Sequence, residues 1–317
     1  ELACAGLSVA VFSWINSPAG TELENKVLDW YAKAMGLPDA FISSIPGSNG
    51  GGVLQNSASE CILISMITAR SKAIGQLKKS SEIHESSFLQ NLVAYGSKHA
   101  NCALEKAAKI ALTKIRLIDI DADGKIRVDL LKEAIMNDIS AGLTPYFVMA
   151  TLGTTATTAF DDVLEIGKFC ENISSIWFHI DGAYGMNAFI LPELRKFGIG
   201  MELADSLNVN ACKMLLVNFD SSAMWLKDLK YLDSAFGIKP LYLSHKYQNT
   251  TGVMDYRNYG ISLGRRLRAL KLWFVFRNYG LKKLRAHVMN LLQLAKLFEK
   301  LVNEDSRFEV VNNVHWA

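Results

Sequence analysis

The sequence predicts an α/β fold with a mainly parallel sheet flanked by helices, and three observations carry that prediction. Short apolar runs alternate with segments of helical period along most of the chain, the pattern of strands joined by helical crossovers. The run IWFHIDGAY, Ile176 to Tyr184, is apolar up to Asp181 and then turns to small residues, as a buried parallel strand does. Two short strand-like runs between Asn208 and Trp225, NVNACKMLLVNFDSSAMW, enclose a single lysine, Lys213.

Composition narrows the function classes. Half the residues are hydrophobic and the formal charge is +3, which describes an ordinary globular protein. So small a basic excess gives no reason to invoke nucleic acid. No apolar run is long enough to span a bilayer. Leu2 to Phe12 is apolar but lacks the basic leader of a signal peptide, and reads as an internal helix whose start is cut off. The five cysteines (Cys4, Cys61, Cys102, Cys170, Cys212) are scattered, odd in number and without a CxxC pair. Reduced thiols in a cytoplasmic protein fit that pattern; a disulfide framework or a zinc site does not.

The elements follow in order. Thr21 and Glu24 form a capping box for a helix that places Leu23, Val27, Tyr31 and Ala34 on one face and ends at Gly36 and Pro38. Phe12 and Trp14, ahead of it, read as core aromatics. Gly50 to Gly52 lead to a second capping box, Ser57 and Glu60, and a helix to about Leu77. Glycines before a helix start let an anion approach free N–H groups, and equally make an ordinary loop. Lys79 to Ser87 is a polar loop, Leu92 to Tyr95 a strand, Ala103 the start of a helix and Ile115 to Ile120 a strand. Asp119 to Gly124 imitates a calcium loop, but Leu130 at its twelfth position cannot ligate, so the segment is a tight turn.

Val128 to Ala141 is amphipathic and helical, Tyr146 to Thr151 a strand, and Asp162 to Glu171 a helix. Thr155, between the last two, reads on its own as an N-cap. Phe236 to Tyr259 is polar and without period, as active-site lids often are. Leu263 to Tyr279 interleaves basic and apolar residues and predicts a half-buried helix with a solvated basic face. A last helix covers Lys282 to Asn303, and Phe308 to Ala317 has the look of a strand. There is no internal repeat and no low-complexity segment.

Two residues suggest chemistry. A lysine among apolar and small residues loses solvation, so its pKa falls and its amine becomes nucleophilic, as a Schiff-base lysine requires. Lys213 reads equally as a lysine snorkelling from a strand end. Asp181, at the carboxyl end of a parallel strand, lies where open α/β sheets bind ligands, and can hold a pyridinium nitrogen. Alone it reads as a turn or cap residue. Paired with Lys213, it suggests a pyridoxal phosphate site.

The motifs TLGTT (Thr151 to Thr155), HIDGAYG (His179 to Gly185), NACK (Asn210 to Lys213), LLVNFD and SAMW resemble the group II pyridoxal-phosphate-dependent decarboxylases from about residue 5 to residue 311. The resemblance is strongest to the aromatic-L-amino-acid (DOPA) decarboxylases and the insect 3,4-dihydroxyphenylacetaldehyde synthases. It implies the fold type I, aspartate-aminotransferase-like architecture. The corresponding division is a remnant of an N-terminal segment over 1–20, a large cofactor-binding domain over 21–303, and the start of a truncated small domain over 304–317. It implies pyridoxal 5'-phosphate held covalently on Lys213, with Ala58, Ser59, Thr155, Asp181, Ala183 and Asn210 around it. Phe12 falls on a substrate-pocket position and Tyr242 on a catalytic tyrosine in a mobile loop. The resemblance further implies a cytoplasmic homodimer acting in aromatic amino acid and catecholamine metabolism, without metal, membrane or nucleic acid.

What the resemblance leaves open is the product. Decarboxylases of this group carry histidine at the position of Asn101, where it supports proton delivery by the loop tyrosine and gives the amine. The aldehyde synthases carry asparagine, and an amide is no general acid near neutral pH. Asn101 therefore points to decarboxylation with oxidative deamination, giving arylacetaldehyde, ammonia and hydrogen peroxide. Asn101 as a simple helix cap is compatible with this. Three further departures stand out: Asn56 replaces a glycine, Cys212 replaces the histidine before the lysine, and Gly182 replaces an alanine beside Asp181. The last two leave room for a weakly active or inactive cofactor-binding paralogue. An aminotransferase fits less well, because SAMW and the Tyr242 loop belong to decarboxylases.

Overall fold

The computed structural model describes residues 2–78, 84–248 and 253–317. Among them, seven strands form one sheet: β1 (Gly51–Gln55), β2 (Leu92–Ser97), β3 (Lys114–Ile118), β4 (Thr144–Thr151), β5 (Trp177–Asp181), β6 (Ser206–Asn210) and β7 (Ser222–Leu226). The spatial order is β1-β7-β6-β5-β4-β2-β3. Among these strands β7 alone runs against the other six. Its connection from Asn210 to Ser222 holds no helix and is shorter than a parallel crossover needs, so the chain has to return the other way.

One consequence fixes the site. The carboxyl ends of β1, β2, β4, β5 and β6 lie on a single edge of the sheet, together with the start of β7. Thr151 pairs with Asp181 and Asp181 with Asn208, while Asn210 pairs with Ser222 and Ser222 with Gln55.

The α-helices among the described residues are α1 (Leu2–Leu7), α2 (Pro18–Met35), α3 (Ala58–Lys78), α4 (Ala103–Ala111), α5 (Val128–Ser140), α6 (Val163–Cys170), α7 (Lys230–Phe236) and α8 (Arg268–Asn303). Because strand side chains alternate, β5 sends Trp177, His179 and Asp181 to one face and Phe178 and Ile180 to the other. The first face packs under α3, α4 and α7, in a core that includes Val53, Ile62, Met149, Trp177 and Met224. The second packs under α2, α5, α6 and α8, around Leu28, Tyr31, Phe178, Leu207 and Trp225. Tyr31 and Trp225 meet edge to face with centroids 5.4 Å apart.

Element order follows the expectation, with strand ends shifted by a residue or two, except that the first helix ends at Leu7 instead of running to Phe12 and that α7 was not expected. Five further points differ. First, α2 starts at Pro18, a turn ahead of the expected box; proline at the first position begins it without needing a side-chain cap. Thr21 then bonds back to the Ser17 carbonyl, and Glu24 is buried instead against Arg265. Gly36 closes the helix at φ 74°, as expected.

Second, the box at Ser57 is half formed. Ser57 Oγ accepts from Glu60 N, but Glu60 reaches one residue further back, to Asn56 N. Third, of the polar loop expected over 79–87, residues 79–83 lie outside the described residues, and Glu85–Asn91 is a 3₁₀ helix. Fourth, the basic helix begins at Arg268, not Leu263, and only part of its basic face is solvated: Arg266, just ahead of it, and Arg277 are exposed, but three other basic residues are buried. Arg265, Arg268 and Lys271 are all less than 9% exposed, drawn inward by Glu24 and Asp220. The two expected helices are one element kinked at Gly280, where φ is 67°. Fifth, no strand forms after Phe308; the segment finds no ladder partner, and Trp316 packs instead on Phe160 and Phe197.

Candidate functional site

Asp181 ends β5 at the shared edge and is 5% exposed. Its Oδ1 accepts from Ala183 N at 3.0 Å and from Asn208 Nδ2 at 3.1 Å. Oδ2 accepts no hydrogen bond among the described residues, so one carboxylate oxygen remains open. Burial pushes the Asp181 carboxyl up, while the bonds from Ala183 and Asn208 and the charge of Lys213 pull it down. Lys213 follows β6, the strand that pairs with β5 at Asp181 and Asn208.

Lys213 sits in the turn after β6, its N–H bonded to the Asn210 carbonyl at 3.1 Å. The Asn210 side chain accepts from Cys212 N and from Cys212 Sγ, the latter at 2.8 Å, and Asn210 N bonds the Ala183 carbonyl. The lysine side chain itself is exposed. This corrects the expectation of a desolvated amine. The apolar neighbours Met214, Leu215 and Val217 turn into the core, whereas Lys213 turns out to the open edge. Burial pushes the Cys212 thiol up, against the pull of Lys213. Gly182 does not leave a gap. A Cβ there would lie 2.1 Å from Met186 Sδ, so methionine fills the space an alanine would take.

On the other flank of Asp181, Asn101 Nδ2 donates to Thr155 Oγ1 at 3.2 Å, while its Oδ1 caps α4 through Ala103 N at 3.0 Å. Asn101 therefore caps α4 with one half of its amide and donates to Thr155 with the other. Across the sheet, α3 opens at Ala58 three residues beyond the end of β1, with Ser59 in its first turn. Asn56 braces this opening: its Nδ2 donates to Glu60 Oε2, and its Oδ1 accepts from Arg268, which also holds Asp220 at 2.9 Å.

Phe12 and the Tyr242 segment are fastened by one another's neighbours. Arg257 N donates to the Phe12 carbonyl and Arg257 Nη1 to the Leu243 carbonyl. His245 meets the Asp255 carboxylate, 3.1 Å from Oδ2, and Asp255 Oδ1 also accepts from Trp14 N. Tyr242 itself lies in a short 3₁₀ turn with its ring 81% exposed, so the structure does not seat it against Lys213. Residues 249–252 of the expected lid lie outside the described residues.

Sequence reasoning passed over His179, Ser206 and Asn208, all fully buried beside Asp181. A signal was present. Ser206-Leu207-Asn208-Val209-Asn210 alternates polar and apolar, yet every residue of the strand is buried. A polar stripe inside a core must be hydrogen-bonded and therefore has a task.

An open carboxylate oxygen, an amine and the free N–H groups of a long helix's first turn share one edge. That donor set fits a phosphorylated pyridine aldehyde: acceptor for the ring nitrogen, amine for the aldehyde, helix start for the phosphate. Among the described residues there is no cluster suited to a metal ion, and no helix is long and apolar enough to cross a membrane.

Relatives agree with this chemistry. An aromatic-L-amino-acid decarboxylase of Cavia porcellus is 47% identical over 315 residues, 99% of this chain and 65% of that protein. A 3,4-dihydroxyphenylacetaldehyde synthase of Drosophila melanogaster is 45% identical over 98% of this chain and 61% of its own length. The crystal structure of Oryza sativa TDC with PLP and tryptamine superposes with a TM-score of 0.95 at 33% identity, covering 100% of this chain and 64% of that one. The chain thus spans about two thirds or less of each of these relatives. Residues 1–317, its whole length, match the pyridoxal-dependent decarboxylase conserved domain. With that match and that identity, the chain belongs to the pyridoxal-dependent decarboxylase family.

Proposed function

We propose that this chain is the cofactor-binding part of an enzyme that decarboxylates a DOPA-like aromatic L-amino acid and releases the arylacetaldehyde. The substrate class rests on relatives named for aromatic amino acids and their aldehydes. The observation that carries the reading is the meeting of Asp181, Lys213 and the start of α3 at one sheet edge, with Asn101 held on Thr155 beside them.

Lys213 would hold pyridoxal 5'-phosphate covalently. Asp181 would keep a proton on its ring nitrogen, with Ala183 and Asn210 shaping the seat. Ala58 and Ser59 at the helix start would take the phosphate. When bound, the cofactor supplies the electron sink for the pair left as carbon dioxide departs. Phe12 would contact the aromatic ring of the substrate. Tyr242, on its exposed turn, would close over the site as proton donor to Cα.

Asn101 decides how well that donation works. Its Oδ1 is committed to the α4 cap and its amide cannot release a proton near neutral pH. With proton transfer to Cα slow, dioxygen takes the electron pair. The overall change then consumes dioxygen and water and yields aldehyde, carbon dioxide, ammonia and hydrogen peroxide. A cytoplasmic homodimer, as the resemblance implies, is part of the same proposal.

A second reading, release of the amine, is favoured by the 47% identity to a protein named decarboxylase. A weakly active or inactive cofactor-binding paralogue is favoured by Cys212. Product analysis of the full-length protein with DOPA under air separates the three. Arylacetaldehyde with stoichiometric peroxide is the expected result. Dopamine without peroxide would replace it with the amine reading, and bound cofactor without turnover with the paralogue. Visible absorbance of the bound cofactor should vanish in Lys213→Ala.

A further inference from the structure

Between β5 and β6 runs an unbroken file of buried polar side chains. Trp177 Nε1 donates to Ser206 Oγ at 2.7 Å; His179 Nδ1 lies 2.7 Å from Ser206 Oγ; His179 Nε2 lies 2.8 Å from Asn208 Oδ1; and Asn208 Nδ2 donates to Asp181 Oδ1 at 3.1 Å. Ser206, His179 and Asn208 are 0% exposed and Trp177 is 1% exposed. Register explains the file. His179 pairs with Ser206 and Asp181 with Asn208, so these four side chains interleave on the face that α3 covers.

Its two ends give it a direction. An indole only donates and a carboxylate only accepts. Asn208 must turn its NH₂ to Asp181, so its oxygen faces His179, and Nε2 has to carry the ring proton. At the other end Ser206 accepts from Trp177. Its own proton has a choice between His179 at 2.7 Å and Ser65 at 3.5 Å, and the shorter contact takes it. Every donor and acceptor is then matched in one sense, from Trp177 to Asp181. A protonated imidazole would break the match, because both its nitrogens would donate and Ser206 could no longer do so. Burial opposes that charge too, holding the His179 pKa down to about 4.

We propose that His179 and Asn208 are positioning residues for Asp181: neutral His179, as the Nε2–H tautomer, locks the Asn208 amide, which occupies Oδ1 and leaves Oδ2 as the oxygen offered at the open edge. The role in cofactor binding rests on the functional reading given above. A carboxylate free to rotate would present either oxygen, or a protonated face, to a ring nitrogen. The file removes that freedom without adding charge near the site.

Two measurements on the full-length holoprotein test this. In ¹⁵N-histidine-labelled protein, the His179 signal, assigned by its loss in His179→Gln, should show the Nε2–H tautomer and no titration between pH 8 and pH 5.5. An Nδ1–H signal, or titration near the ordinary histidine value, overturns the proposal. Separately, Asn208→Leu should weaken retention of pyridoxal 5'-phosphate by roughly 10- to 100-fold, the value of a hydrogen bond to a charged group, and shift the pH profile of the bound cofactor's absorbance. His179→Leu should do likewise. His179→Gln should restore both, since its amide can donate to Asn208 and accept from Ser206. A folded Asn208→Leu protein with wild-type affinity and an unchanged profile refutes the positioning role alone. Wild-type protein that retains no pyridoxal 5'-phosphate refutes the functional reading itself.

Discussion

Asn101 uses both halves of its amide, one for the α4 cap and one for Thr155. Asn101→His should therefore have two separable effects. Losing the cap costs about 1 kcal/mol of stability. Gaining an imidazole beside the site raises the amine-to-aldehyde ratio with DOPA, measured by chromatography under air. An unchanged ratio would remove Asn101 from the choice of product. Gly182 is matched to Met186 in the same local way. An added methyl would meet Met186 Sδ, Cγ and Cβ at 2.1, 2.3 and 2.8 Å, and the near end of that side chain cannot swing aside. Gly182→Ala should lower the denaturant midpoint by the equivalent of roughly 1–3 kcal/mol, and Met186→Ala in the same chain should recover part of it. If Gly182→Ala alone melts like wild type, Met186 is not what fills the seat.

At the scale of elements, the first turn of α3 is held by a brace that no local pattern displays. Asn56 links Glu60 to Arg268, and Arg268 links α8 to Asp220 ahead of β7. A heavier tie joins α2, β1 and the segment before α8. Arg265 donates to both Glu24 oxygens and to the Leu54 carbonyl, while Glu24 also accepts from Leu54 N. Both side chains are nearly inaccessible, 6% and 1% exposed. A buried pair of this kind contributes little against an apolar replacement, but removing one partner strands the other charge. Glu24→Gln should cost roughly 3–5 kcal/mol in denaturant unfolding, and the double variant Glu24→Leu with Arg265→Met should recover most of it. A loss below about 1 kcal/mol in Glu24→Gln would mean that Leu54 and Val11 already satisfy the guanidinium.

For the whole molecule, two buried groups set opposite trends of stability with pH. Burial pushes Asp161 up from 3.8 to about 6, although Ile126 N and Thr151 N both bond it. Between those values the folded state keeps a proton the unfolded chain has released, so stability falls as pH rises through this window. His179 is held down from 6.5 to about 4, so the unfolded chain binds the extra proton there. Its contribution is complete above pH 6.5 and is lost as pH falls toward 4. Each is worth roughly 3 kcal/mol across its window, so the two largely offset one another. Asp161→Asn should steepen the gain in stability with rising pH between 4 and 6, and His179→Gln should flatten it. Parallel pH profiles for wild type and Asp161→Asn would count against the raised Asp161 value.

The order of strands and helices was legible in the sequence because it depends on local period and on turn and cap residues. Asp181 and Lys213 could be nominated there as candidates, because a strand end and a lone lysine are local features, and long motifs carried the family. Other properties arise only when distant segments meet. Strand adjacency and the antiparallel β7 gathered the candidate residues at one edge. Glu24 and Asp220 buried arginines that a helical period assigns to solvent. The turn after β6 aimed Lys213 outward although its neighbours are apolar. The alternation in β6 showed that a polar stripe existed. Which strand lay beside it, and so that His179 and Asn208 would hold Asp181, was decided by register, since a hydrogen bond between residues 27 apart leaves no trace in the spacing of either.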